Sequence, residues 1–295
     1  MVVVGCVVLG IGAFGLFIYS RPPVLIVTDA PFVYIYGQNR LRREIVRASA
    51  ALFRLVLPVV VADGASDDIV FFAVTNASTR PYAVIFPLRY AGAASFFHIQ
   101  APEVPVIVLE GRHGQGASAP GADDFFRFRT DTETDLYRAG RLSAILNEET
   151  GGQSLVFLGG NLIGNERQIF QQALAGQGEW PETQFFYSIA ELGSVLGISS
   201  AVLAGSGTEF LERRPNIPVI FFTWLNPAFM PGEVVVVFDD SPWVQAEPAV
   251  RMMAAGIKNG QIASRPLVLS ARVADNDVLR RLRNAANSVE SQPHS

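Results

Sequence analysis

The chain is short of the residues on which most protein chemistry depends. It has a single cysteine, Cys6, and three histidines, His98, His113 and His294, scattered along 295 residues. One cysteine excludes an internal disulfide and a thiolate metal site, and histidines so far apart make no metal-ligand cluster. Charge is scarce as well. Only 17% of the residues are charged, and a net charge of −4 provides no global basic field to draw in nucleic acid or anionic lipid. No nucleophile elbow and no histidine–carboxylate constellation is visible, so no catalytic residue, enzyme activity, metal or cofactor is expected. What the chain has in quantity is apolar surface: 49% of its residues are hydrophobic, enough for one large or two medium domains with sizeable cores.

The densest apolar stretch is VVVGCVVLGIGAFGLFIY, Val2 to Tyr19, uncharged and ended by Ser20-Arg21-Pro22-Pro23. About 18 residues rising about 1.5 Å each span roughly 27 Å, close to the hydrocarbon thickness of a bilayer. Residues 1–21 therefore read as a membrane anchor or signal segment. The run contains a GxGxxG match from Gly10 to Gly15, but Pro22 and Pro23 follow too soon for the long helix that a dinucleotide-binding turn requires. Val3-Val4-Gly5-Cys6 has the residue types of a lipoprotein cleavage box, which would make Cys6 the lipidated residue; the alternative is an uncleaved anchor. Both place the remainder on the periplasmic side of the inner membrane, held by its N-terminus, while Arg21 counts the other way under the positive-inside rule.

Beyond the run, strand and helix patterns alternate. Val24 to Thr28 is a β-branched apolar strand, followed by a loop with Asp29, Pro31 and Gly37 and an amphipathic helix from Gln38 to Phe53. Leu41, Ile45, Ala48 and Leu52 form the packing stripe of that helix, with Arg40, Arg43 and Arg47 expected to face water. Further strands are expected at Leu55 to Val61, Tyr82 to Pro87 and Pro105 to Leu109, each nearly all apolar, as strands covered on both faces must be. A second series starts near Phe125, with strands at Phe125 to Arg129, Ser154 to Leu158, Gln184 to Tyr187, Ser200 to Ala204, Pro218 to Trp224 and Glu233 to Phe238. Helices fall at Asp131 to Asn147, Asn165 to Ala175, Ile189 to Leu196, Pro242 to Lys258 and Asn276 to Asn287, with Pro266 to Arg272 extended. Two wound α/β lobes, each built on a parallel sheet, satisfy this order.

The wording of these segments resembles the type I periplasmic-binding-protein family, whose sugar-binding members share their core with the lac-repressor-type regulators. VLIVTDAPFVYIYGQNRLRREI resembles the family's first strand, Pro-Phe loop and first helix, and PVIVLEGR resembles the strand that usually ends in Asp-Arg. TDTETDLYRAGRLSAIL, with Ala139-Gly140, resembles the crossover into the second lobe; SLVFLGGNLIGNERQIFQQAL resembles the next strand, Gly-rich loop and helix. VVVVFDDSPWVQAEPAVRMMAAG resembles the return to the first lobe. The match runs from Val24 to Ala274 and implies two doubly wound lobes with three crossovers near Thr130, Asp240 and Leu269. Residues 22–129 with 241–268 would form the N-terminal lobe and residues 130–240 with 269–295 the C-terminal one. No helix-turn-helix pattern lies before Val24, only the apolar run, so the DNA-binding branch is not expected.

The resemblance implies closure on a small molecule, and ligands of open α/β sheets meet the carboxyl ends of the strands. Candidate ligand-binding residues are Asp29, Phe32, Arg89 and Arg112 from the first lobe, and Asn165, Ser206, Trp224, Asn226 and Asp239 from the second. Each also has an ordinary use. Asp29 can cap the following turn, Phe32 can plug the core, Trp224 can wedge the lobes together, Arg89 and Arg112 can be surface charges, and Asp239-Asp240 can simply end a strand. Sugar-binding members usually carry an Asn-Asp pair where this chain has Gly205-Ser206-Gly207, and an aspartate after the strand that ends here at Trp224. Without those carboxylates a pyranose is a poor fit. The expected function is a membrane-anchored extracytoplasmic solute-binding protein that passes a small molecule to an ABC permease, with no nucleic-acid partner. The alternative is a degenerate binding fold with a sensory or structural role.

Overall fold

A computed structural model describes residues 17–112, 124–150, 153–158, 165–175, 183–186, 198–204, 217–223 and 230–288. The chain opens with β1 (Val24–Asp29), α1 (Ala30–Tyr36), α2 (Gln38–Leu52), β2 (Val56–Val61), α3 (Asp67–Ala77), β3 (Ala83–Pro87), α4 (Ala91–Gln100), β4 (Val106–Gly111) and β5 (Phe126–Thr130). It continues through α5 (Thr132–Thr150), β6 (Gln153–Phe157), α6 (Glu166–Ala175), β7 (Gln184–Phe186), β8 (Ile198–Leu203), β9 (Val219–Phe221) and β10 (Val234–Asp239). It closes with α7 (Pro242–Ala254), β11 (Asn259–Ile262), β12 (Arg265–Val268) and α8 (Asn276–Asn287). Among the described residues no helix is long and apolar enough to cross a membrane. Most of the apolar run of the N-terminus lies outside them.

These elements divide into two units, residues 1–130 with 241–262 and residues 131–240 with 263–295. The first holds a six-stranded sheet of order β11-β5-β4-β3-β1-β2, parallel throughout. The second holds a six-stranded sheet of order β12-β10-β9-β8-β6-β7, in which only β12 runs antiparallel. Because Arg265 to Val268 pairs with β10, this segment belongs to the second sheet, and the third crossing falls after Ile262 rather than near Leu269.

β1 and β10 were the most legible strands because every residue of each is buried. The first core packs Val84, Phe86, Val106 and Val108 of the sheet against Val70, Val74 and Phe97 of α3 and α4. In the second unit Leu142 and Leu146 of α5 and Phe170 of α6 pack on Val156 and Val202. Here Gly140 sits where a Cβ would lie 2.7 Å from the carbonyl oxygen of Phe170 and 2.8 Å from Cβ of Ala173. The nearer atom is backbone and cannot swing away, so Gly140→Ala should part α5 from α6 and lower stability by about 2 kcal/mol. A shift of the urea midpoint at constant slope would measure it, and an unchanged midpoint would show that the helices slide apart freely.

Two expectations about the first unit need correcting. The segment expected as a loop between Asp29 and Gly37 is helix α1: Asp29 Oδ1 accepts the Phe32 N–H at 2.7 Å as an N-cap, and Pro31 sits at the start of the helix, where its missing N–H is harmless. Gly37, at φ +89°, ends α1 and turns the chain into α2. Arg40, expected in water, is 8% exposed, because α1 brings Tyr36 beneath it and the guanidinium lies 4.5 Å from that ring's centroid.

The crossings are tied down within each unit by buried polar contacts. In the first unit, Gln245 Nε2 donates to Thr130 Oγ1 at 3.0 Å, just before the first crossing, and Ser241 Oγ donates to the Tyr36 hydroxyl at 3.3 Å, just after the second. In the second unit, the Asp135 carboxylate accepts both the backbone N–H and the hydroxyl of Ser264, while Arg138 donates to the Ser264 carbonyl.

Candidate ligand site

In a parallel sheet all the strand exits lie on one edge, and in the first unit the exits of β4, β3 and β1 are neighbours. Asp29 is the last residue of β1 and is 2% exposed. A carboxylate this deep requires partners. It has three: besides capping α1, it lies 2.6 Å from Nη1 of Arg89 and accepts a long hydrogen bond, 3.4 Å, from the Tyr90 hydroxyl. Both partners come from the turn that leaves β3. Burial pushes the Tyr90 phenol up from its ordinary value, with the Asp29 carboxylate acting the same way and Arg89 opposing. The phenol is therefore a firm donor at neutral pH.

Arg89 has a second aspect. Its side chain is 47% exposed, and the guanidinium lies 5.0 Å from the Tyr90 ring. One edge of the fork meets Asp29, and the exposed remainder can take an incoming oxyanion in the bidentate manner that arginine favours. Phe32 is buried and stacks on Tyr36 with centroids 5.7 Å apart and the planes 12° from parallel. Asp29, Phe32 and Arg89 thus come together at one place. Arg112 follows β4 directly after Gly111, whose φ of +67° turns the chain at the next exit.

Beside that exit the sheet carries a polar strip. Phe128 of β5 faces the α7 side, where Met252 packs on Gly260 so closely that a Cβ there would meet the methionine methyl at 2.2 Å. Alternation then turns Arg127 and Arg129 to the other face. Arg127 Nε donates to Glu110 at 2.6 Å. Arg127, Arg129, Glu110, Asn259, Gly260 and Gln261 line an open concavity of about 480 Å³.

In the second unit, Asn165 is exposed and accepts the Ile169 N–H on its carbonyl at 2.8 Å, so it stands at the cap position of α6. Asp239 ends β10, is 1% exposed and stands opposite Arg265 of β12 in the register. Ser206, Trp224, Asn226 and Cys6 lie outside the described residues.

Tyr90 and Glu110 were not picked out by the sequence. Tyr90 follows Arg89 but reads as one more apolar residue after an apolar strand, and its hydroxyl gains meaning only when Asp29 lies beside it. Glu110 was masked by the expectation of Asp-Arg at that strand end. The alternation Phe126-Arg127-Phe128-Arg129 was the available signal for the polar strip, since a period of two puts both arginines on one face.

No family model matches the chain, and no curated protein matches it. Solved structures do. An ABC transporter solute-binding protein from Conexibacter woesei aligns over 90% of this chain and 95% of its own, with a TM-score of 0.56 at 11% identity. A transcriptional activator of the comK gene from Bacillus halodurans aligns over 90% of this chain and 96% of its own, with a TM-score of 0.54 at 14% identity. At these identities the likeness shows the fold alone, two mostly parallel α/β sheets flanked by helices in the manner of the type I periplasmic-binding-protein fold.

Proposed function

We propose that this protein is an extracytoplasmic solute-binding protein, held at a membrane by its apolar N-terminal run, whose two units close on a small molecule for delivery to an ABC permease. The observation that carries the reading is the cluster at the carboxyl ends of β1 and β3: a buried Asp29 that fixes Arg89 while half of the arginine side chain is open to solvent. Arg112 at the next exit adds a second cation. A ligand with carboxylate or phosphate oxygens suits two guanidinium groups better than a neutral pyranose, which would look for the aspartates that Gly205-Ser206-Gly207 and Trp224 do not supply.

A thermal-shift screen of sugars, sugar acids, sugar phosphates, nucleosides and amino acids tests this. A ligand at about 100 times its Kd adds about 2.7 kcal/mol to the native state and should raise Tm by about 5 to 10 °C. Anionic members are expected to head the ranking. A screen without any stabilising compound would overturn the reading in favour of a sensory or structural domain. One observation favours that second reading: the Asp29 carboxylate already has Arg89, Tyr90 and the Phe32 N–H as partners without any ligand.

A further inference from the structure

The amino ends of the strands in the first unit carry a feature that solute binding does not use. Pro22 and Pro23 lead directly into β1, and the Pro23 carbonyl accepts the Tyr82 N–H at 2.7 Å while the Val24 N–H reaches Leu55 at 2.8 Å. Residues at the starts of β1, β2 and β3 therefore share one edge with the end of the apolar run. There Arg21, Phe53, Arg54, Tyr82 and Arg251 line an open concavity of about 380 Å³.

The three arginines are held in place by stacking and backbone contacts. The Arg21 guanidinium lies 4.0 Å from the Phe17 ring centroid, and that of Arg54 lies 3.8 Å from Tyr82 while donating to the Pro22 carbonyl at 3.3 Å. Arg251 donates to the Ala51 carbonyl at 3.4 Å and pairs with Glu247 at 2.9 Å. Neither Arg21 nor Arg54 forms an ion pair with a carboxylate among the described residues, so the concavity keeps an excess of positive charge. Aromatic rings border it: Phe53, 48% exposed, and Tyr82 are in the lining, and Phe17, 44% exposed, lies under Arg21. Phe53 is held at φ +53°, a conformation that a bulky residue adopts at a cost, at the turn between α2 and β2.

Exposed aromatics, arginines whose guanidinium groups stack on rings and an adjoining apolar run of bilayer length are the components of a membrane interface. The spacing agrees. Ser20 and Arg21 turn back on Phe17 and Ile18, and the four residues from Ser20 to Pro23 can span at most about 14 Å. We infer that this basic, aromatic-rimmed concavity docks on the phosphates of anionic lipid headgroups when the apolar run lies in the bilayer. The inference rests on the anchoring part of the proposed function and goes beyond it, because an anchor alone requires no headgroup contact.

The full-length chain incorporated into nanodiscs of phosphatidylcholine, with or without phosphatidylglycerol, provides the test. Arginines are modified with phenylglyoxal and followed by mass spectrometry, with Arg280 on α8 of the other unit as the internal reference. Modification of Arg21 and Arg54 should slow by about fivefold in the anionic discs relative to the neutral ones, the factor for one cation near an anionic surface. Equal rates in the two kinds of disc, with the chain incorporated in both, would overturn the headgroup contact while sparing the anchor. Protection in neutral discs when inorganic phosphate is added would make the concavity a soluble-anion site and overturn the lipid assignment. Failure of the chain to incorporate into neutral discs would remove the anchor, and this inference with it.

Discussion

Replacing Asp29 by alanine is expected to lower the stability of the protein by about 2 to 4 kcal/mol. The loss has two parts. The N-cap of α1 disappears, at about 1 kcal/mol, because the Phe32 N–H loses its acceptor inside a buried turn. The second part is the charge-assisted contact with Arg89, about 1.5 to 3 kcal/mol for a buried carboxylate, reduced here because the arginine is half exposed and can turn to water. Asp29→Asn separates the two: asparagine caps a helix as well as aspartate does, so this variant should lose only the ionic part. Urea unfolding of both variants checks the expectation, and equal losses would mean that the cap contributes nothing. Once a ligand is found, Asp29→Asn also reports on function. If Asp29 serves to aim Arg89, affinity for an anionic ligand should fall along with stability.

The second large effect is expected at Asp135. This carboxylate is wholly inaccessible and accepts both the N–H and the hydroxyl of Ser264, the second residue after the chain re-enters the second unit. Asp135→Ala leaves two donors at a site that is 2% exposed, and each buried donor without a partner costs about 1 to 3 kcal/mol. A total of about 3 to 4 kcal/mol is expected, more than for Gly140→Ala. Hydrogen exchange supplies a local readout, because β12 should lose amide protection ahead of the rest of its sheet. If β12 stayed protected in the variant, pairing with β10 alone would suffice to hold the third crossing.

The sequence was a good guide wherever burial alone decides the residue type. Val24-Leu25-Ile26-Val27 and Val234 to Phe238 can only be interior strands, and their alternation with helical stretches was enough to specify two wound units. It was a poor guide wherever a long-range contact supplies the partner. Asn259-Gly260-Gln261-Ile262 carries no apolar run, and it is a strand because β5 offers a parallel edge and Met252 requires glycine. Of the segment expected to be extended from Pro266 to Arg272, the part to Val268 is strand, though its antiparallel direction was not readable, and Ser270–Arg272 is instead a turn of 3-10 helix. At the candidate site, position at a strand exit was enough to place Asp29 and Arg89 on the same edge of the sheet. That the aspartate would be largely consumed in holding the arginine, with Tyr90 as a second donor, depends on a contact between distant parts of the chain.

The direction in which β1 leaves Pro23 has one more consequence. All six strands of that sheet run the same way, so the polar exits stand one strand length, about 20 Å, from the edge where Pro23 leads into β1. On the proposed reading, a tether attached at that edge would leave the exits of this unit facing away from the bilayer, about one strand length above its surface.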